Sequence, residues 1–251
     1  MHASLTTFAQ GLAQTALRTA RTTGLAALML APLAFTTGEA QASAIQVRDG
    51  NGGNVFNGGP GHVNLSIRVN GVGQSVAAGA FVLEYRQGAG GTWTSFMTYC
   101  LEPDEWLGIS GTTPKHGTLA GDLTGTAEYA TTGTALSALY TTWFEDSLTS
   151  ATKSAAFQVA VWELAFDTGA NLAAGVFQLN GNNNNVRNQA NAYLNQANWD
   201  APEQVGVILR VGNQDLIIQV PEPGAVALFS VALLGLGVAA RRRLATVPAR
   251  G

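Results

Sequence analysis

Cys100 and Gln158 are the two residues of this chain whose types and surroundings suggest covalent chemistry. Cys100 is the only cysteine among 251 residues, and it follows a run of aromatic and β-branched residues. Gln158 lies within residues 155–167, whose spacing predicts a helix that is apolar almost all round, with Glu163 and Asp167 on its one polar face. Because a buried amide costs free energy unless it is hydrogen-bonded, Gln158 needs a partner, and Cys100 is the candidate.

A thiol held against a carboxamide can expel ammonia and form an internal thioester. The bond needs protection from water, which the apolar neighbours Phe157, Val161 and Trp162 would supply. The acyl group could then acylate an amine or a hydroxyl group of another molecule once, without turnover. Replacing either partner by Ala is expected to abolish the bond with little loss of fold. The alternative is that Cys100 and Gln158 are ordinary core residues, since cysteine is commonly buried as a small apolar side chain.

The sequence contains no pattern that is typical of an enzyme or of a metal site. Its three histidines are isolated, and no nucleophile–base set, metal-ligand spacing or phosphate-binding loop is present. Glu102, Asp104 and Glu105 lie close together, but such a run is more typical of a solvated loop than of the paired acids of a glycosidase. We therefore expect no enzyme activity, no cofactor and no metal.

Residues 1–44 have the features of a cleaved secretory signal peptide. Two arginines precede an uncharged apolar run at residues 24–35, and small residues in the Ala-x-Ala pattern follow at residues 40–44. The apolar run is short for a membrane anchor. The sequence therefore predicts export, with the mature N-terminus at Ser43 or Ile45. A lone thiol in an exported chain cannot form an internal disulfide, so it must be buried, modified or paired with another chain.

Residues 221–251 carry a second membrane-related pattern, in which Pro-Glu-Pro-Gly precedes an uncharged stretch and an arginine cluster. The stretch, residues 225–240, is barely long enough to cross a bilayer as a transmembrane helix, and the arginines would stay on the cytoplasmic side. This order resembles the PEP-CTERM sorting signal of Gram-negative bacteria. The motif residues are Pro221, Glu222, Pro223, Gly224, Arg241, Arg242 and Arg243. The resemblance implies processing by an exosortase in the inner membrane, followed by a place at the cell surface or in the extracellular matrix.

The part between the two signals, residues 45–220, has the length of a single domain. Between residues 45 and 223 there are 15 acidic and 7 basic residues, which give a net charge of −8. A surface of this charge repels the phosphates of nucleic acids, so nucleic acid is excluded as a partner.

Hydrophobic periodicity predicts strands on both sides of a central segment of three helices. Alternation predicts strands at residues 62–69, 80–85, 92–101, 204–209 and 215–220. Helical spacing predicts helices at residues 135–144, 153–167 and 186–197. Residues 107–128 have no sustained period and are predicted to be irregular, with room for short strands. The order of strands, helices and strands indicates an α+β domain of antiparallel strands, with Cys100 on the third strand and Gln158 on the second helix.

Two segments resemble the motifs of the thioester domains of bacterial surface adhesins. They are Tyr-Cys-Leu-Glu at residues 99–102 and Phe-Gln-Val-Ala-Val-Trp-Glu at residues 157–163. The resemblance spans about residues 95–200 and implies that Cys100 is the thiol partner and Gln158 the acyl partner. Glu102 stands where the family often has aspartate, and those adhesins come mainly from Gram-positive surfaces.

The resemblance implies a covalent adhesin. Its partner would be a surface or matrix polymer that carries amine or hydroxyl nucleophiles. The alternative is a non-reactive structural protein of the biofilm or exopolysaccharide matrix, in which Cys100 and Gln158 are core residues.

Overall fold

The computed structural model describes residues 42–167 and 170–219, which belong to one compact unit. Residues 1–41 of the predicted signal peptide and the whole predicted sorting helix lie outside the described residues. Within those residues, no helix is both long and apolar enough to cross a membrane.

This part of the chain forms nine strands and three α-helices. The strands are β1 (Ser43–Arg48), β2 (Val63–Val69), β3 (Val72–Ala78), β4 (Phe81–Gln87), β5 (Thr94–Cys100), β6 (Lys115–Ala120), β7 (Phe177–Asn180), β8 (Val205–Leu209) and β9 (Leu216–Gln219). The helices are α1 (Gly133–Ser147), α2 (Ala151–Phe166) and α3 (Asn184–Tyr193), and a short 3-10 turn follows at Gln196–Asn198.

Six of the strands close into a barrel in the order β1-β4-β5-β9-β8-β6, and β3-β2-β7 form a second sheet. All of the pairings in both sheets are antiparallel. The hairpin between β2 and β3 turns at Asn70-Gly71, where both residues have a positive φ, as a tight two-residue turn requires. Closure of the barrel leaves its six strands without free edges.

Helix α2 is the central element of the fold because it packs against α1, α3 and strands of both sheets. Every residue from Ser154 to Leu164 is buried. Such a helix is apolar all round because it has neighbours on every side, as its sequence predicts. The predicted polar face is wrong at Glu163, which is fully buried. Its carboxylate accepts a hydrogen bond of 2.7 Å from the Asn171 N–H, and so holds the segment that follows the helix.

The α+β class, the antiparallel strands and the three helices are confirmed. Three strands, β1, β3 and β7, have no counterpart among the predicted strands, and β6 lies in the segment predicted to be irregular. β3 and β6 each contain a glycine and a largely exposed half, which hides the alternation. Strand β7 separates α2 from α3, so the helical segment is not continuous. Closure of the barrel was not predicted, because alternation shows which face is buried but not which strands pair.

The start of β1 gives a sharper prediction for the mature N-terminus. Ser43 and Ala44 pair with Leu119 and Thr118 of β6, so cleavage after Ala44 would remove the first two residues of a barrel strand. Cleavage after Ala42 leaves β1 whole. We therefore expect the exported protein to begin at Ser43, as read by N-terminal sequencing. A mature chain that began at Ile45 would show that the pairing at the start of β1 is dispensable.

Candidate functional site

The fold brings Cys100 and Gln158 into direct contact, although they are 58 positions apart. Cys100 is the last residue of β5, and Gln158 lies in the middle of α2. Both are almost fully buried, with 1% of their surface exposed. The buried amide of Gln158 thus has its hydrogen-bond partners at Cys100, while the thioester between the two residues stays a prediction.

The contact runs through the main chain of Cys100 rather than through its thiol. The Cys100 N–H donates to Gln158 Oε1 at 3.0 Å, and Gln158 Nε2 donates to the Cys100 carbonyl at 2.7 Å. Strand β4 begins at Phe81, which pairs with Thr98, so β5 has no strand neighbour opposite Cys100 on that side. The carboxamide of Gln158 therefore takes the place of a strand and satisfies the two main-chain groups that β4 leaves free.

One face of α2 carries a row of polar groups that joins the helix to the barrel at Cys100, where β5 extends beyond β4. We call this place the seam. Ser154, Gln158 and Trp162 are four residues apart and so lie on the same face. The Ser154 hydroxyl accepts a hydrogen bond of 2.8 Å from the Ala80 N–H, just before β4 begins. It also bonds the buried Tyr99 hydroxyl at 3.2 Å. The row therefore fixes the position of Gln158 relative to the end of β5.

The Cys100 thiol lies in an environment that keeps it protonated. Burial raises the pKa of this thiol to about 12, while the indole of Trp162 and the Glu102 carbonyl act in the opposite direction. Its Sγ donates to the Glu102 carbonyl oxygen at 3.3 Å. A buried, protonated thiol is a poor nucleophile toward molecules in solution, so it is protected from reaction.

Three carboxylates meet beside this seam, and they are not the three that lie close together in the sequence. Oxygens of Glu102, Glu128 and Asp215 lie within 4.8 Å of one another. Burial raises the pKa of Glu102 to about 7 and that of Asp215 to about 6. Asp215 accepts from the Arg210 N–H at 2.7 Å, and the Asp215 N–H donates to Glu102 at 2.9 Å. If a cation bound in this part of the chain, these oxygens would be its ligands.

Sequence reasoning missed Glu128 and Asp215 because nothing in their spacing points to Glu102. They are separated from it by 26 and 113 positions, and only the closing of the barrel brings β9 beside β5. Asp104 and Glu105, which the sequence groups with Glu102, lie instead along a neighbouring cavity.

That cavity has a volume of about 510 Å³ and includes Cys100 and Trp162 in its wall. Its other walls come from β3, from the segment 103–110, and from Val55, Phe56, Phe81 and Gln214. The volume falls within the roughly 300–1,000 Å³ that is typical of small-molecule sites. The cavity gives a small molecule a route to the neighbourhood of Cys100.

Comparison with known proteins identifies the C-terminal signal. Residues 219–243 match the PEP-CTERM protein-sorting motif, which confirms the prediction made from the Pro-Glu-Pro and arginine pattern. The motif implies that the chain is an exported protein and that it is targeted to an exosortase. The sorting takes place at the membrane and directs the protein to the cell surface. No curated protein and no solved structure matches the chain. The resemblance to the thioester domains of adhesins has no support from these comparisons.

Proposed function

We propose that this exported protein attaches covalently to a surface or matrix polymer through a thioester between Cys100 and Gln158. The observation that supports the proposal is the double hydrogen bond between the Gln158 carboxamide and the Cys100 main chain. It holds the carboxamide against the main chain of the residue whose thiol would attack it, inside a buried site. The sequence pattern and the geometry thus lead to the same pair of residues.

The hydrogen bonds of the carboxamide suit the formation of this bond. In the reaction Cys100 Sγ attacks the Gln158 carboxamide carbon, the C–N bond breaks, and ammonia leaves with the thiol proton. Negative charge develops on Oε1 in the tetrahedral intermediate, and the Cys100 N–H already donates to that oxygen at 3.0 Å. A preorganised main-chain donor of this kind is the usual stabiliser of such an oxyanion. For the attack, the hydrogen bond from Sγ to the Glu102 carbonyl has to break.

The second step would transfer the acyl group to the target. An amine or a hydroxyl group attacks the thioester carbon, the C–S bond breaks, and the Cys100 thiol is released in its protonated form. The pair is 1% exposed, and the cavity beside Cys100 is the route by which the nucleophile would reach it. The transfer happens once per molecule, so the protein acts as a covalent adhesin and not as an enzyme.

A second candidate function is that of a non-reactive structural protein of the biofilm or exopolysaccharide matrix. One observation favours it: the Gln158 carboxamide and the Cys100 thiol both have hydrogen-bond partners without a covalent bond between them. In that case Gln158 only closes the seam beside β5. Both candidates share the same route, with an inner-membrane intermediate in a Gram-negative cell and a final place at the surface or in the matrix.

The chemical state of Cys100 separates the two functions. We expect fresh protein, purified near neutral pH, to be lighter than its sequence mass by one ammonia. The native thiol should resist alkylation, and methylamine should add to Gln158 while freeing the thiol. Cys100→Ala should remove the mass deficit. Gln158→Glu, which keeps the size of the side chain and lacks the amide leaving group, should remove it as well.

Intact mass spectrometry with peptide mapping makes this measurement. If fresh wild-type protein has the full sequence mass and methylamine adds nothing to it, the thioester proposal is wrong. The function as a non-reactive structural protein would then remain.

A further inference from the structure

We propose that the cavity beside Cys100 is a non-covalent binding site for a neutral saccharide. This inference does not require the thioester, since it rests on the walls of the cavity and not on the bond. It assigns to the exported domain a ligand class that its sequence motifs do not specify.

The rim of the cavity presents a large aromatic surface. Trp106 lines the cavity and is 82% exposed, so its indole is open to a ligand. An indole face is a flat apolar platform that fits the flat C–H face of a pyranose ring. Further inside, Phe56, Phe81 and Trp162 add apolar and aromatic walls.

Two buried polar atoms of the wall have no hydrogen-bond partner within the described residues. They are Trp162 Nε1, which can only donate, and Gln214 Oε1, which can only accept. Their residues are only 3% and 9% exposed. The Trp162 indole lies near the Cys100 thiol, but Nε1 forms no hydrogen bond of normal geometry there. Buried polar atoms left unpaired are costly, so the pair points to an occupant that completes it.

The required occupant must accept from one atom and donate to the other. A hydroxyl group does both, whereas an ammonium group only donates and a carboxylate only accepts. The charged residues of the wall are Asp104 and Glu105, and no lysine or arginine is among the lining residues. Carboxylates accept hydrogen bonds from hydroxyl groups and repel anions, so uronic acids and phosphates are disfavoured. A neutral, polyhydroxylated ring meets all of these conditions.

The rim segment at residues 103–110 is held in place before any ligand arrives. Gln74 Nε2 donates to the Pro103 carbonyl at 2.9 Å, and the Gln214 N–H donates to the Trp106 carbonyl at 3.2 Å. The Arg210 guanidinium donates to the Leu107 carbonyl. Preorganisation of this kind lowers the entropy that binding costs. The bond from Gln214 also joins the main chain of Trp106 to that of Gln214.

The test uses purified exported protein and a panel of neutral oligosaccharides made of glucose, galactose, mannose or N-acetylglucosamine. We expect at least one to bind, as measured by calorimetry and by a change in tryptophan fluorescence. Trp106→Ala should weaken that binding about tenfold or more, since truncation of a central aromatic contact commonly costs this much. Gln214→Leu should weaken it as well. Trp93→Ala is the matched control, because Trp93 packs against Arg48 and Arg86 away from the cavity. This variant should bind the oligosaccharide as tightly as the wild type.

Two further probes separate this inference from the proposed thioester and from other ligands. Wild-type protein treated with methylamine keeps no thioester, yet it should bind the same oligosaccharide with an affinity within about threefold of the untreated protein. Butylamine and polygalacturonate oligosaccharides should not compete. The proposal is overturned if no neutral oligosaccharide binds, if Trp106→Ala binds normally, or if butylamine or the acidic oligosaccharide binds in its place.

Discussion

Replacing Gln158 by Met should lower the free energy of unfolding by about 2–6 kcal/mol, because two buried main-chain groups would each lose their partner. Met has a similar length and fits the apolar surroundings, so the loss reports hydrogen bonds rather than a cavity. The groups concerned are the N–H and the carbonyl of Cys100, both now bonded to the carboxamide. This result differs from the small effect that the sequence alone predicts for this position.

The measurement is urea unfolding of Cys100→Ala and of Cys100→Ala with Gln158→Met. The shared Cys100→Ala change removes any thioester from both proteins, so the difference comes from the hydrogen bonds alone. Gln178→Met in the same background is the control, because Gln178 is only partly buried on β7 and bonds a nearby exposed carbonyl. Its effect should stay within about 0.5 kcal/mol. Equal stability of the Gln158 and Gln178 variants would mean that the carboxamide does not hold the seam.

Replacing Glu163 by Gln should stabilise the protein at pH 8 by about 1–3 kcal/mol and leave it unchanged at pH 4. Burial raises the pKa of the Glu163 carboxyl to about 7, although the Asn171 N–H acts in the opposite direction. A carboxyl whose folded-state pKa is raised stabilises the fold while it is protonated. That contribution is complete below its ordinary pKa and is lost as the pH rises through about 7. Gln has no charge to bury and keeps an oxygen for the Asn171 N–H.

Thermal and urea unfolding between pH 4 and pH 8 provide the measurement. The wild-type stability should fall over this range, and Glu102 and Asp215 contribute in the same direction because burial raises their pKa values too. Glu163→Gln should reduce the slope with which the free energy of unfolding falls as the pH rises. Glu145→Gln, on the exposed side of α1, is the matched control and should leave the slope as it is. A Glu163→Gln protein with the wild-type slope would show that the fold does not raise the pKa of Glu163.

The sequence by itself determined the features that depend on local pattern. The burial of α2 follows from a surface that is apolar almost all round, and the C-terminal sorting motif follows from a short run of residues in a fixed order. The need of Gln158 for a partner also follows locally, since an amide among apolar neighbours is costly whatever the fold. Cys100 was the candidate partner of Gln158 because it is the only cysteine in the sequence.

Only the tertiary structure decided which groups meet. The Gln158 carboxamide bonds the main chain of Cys100 because β4 stops two positions short of it, and no local pattern records where a neighbouring strand ends. The cluster of Glu102, Glu128 and Asp215 exists because β9 closes the barrel beside β5. Glu163 is buried, and its carboxylate accepts a hydrogen bond from the Asn171 N–H, which lies beyond the end of α2. These are long-range pairings, and the side-chain period of a strand or a helix carries information about its own faces only.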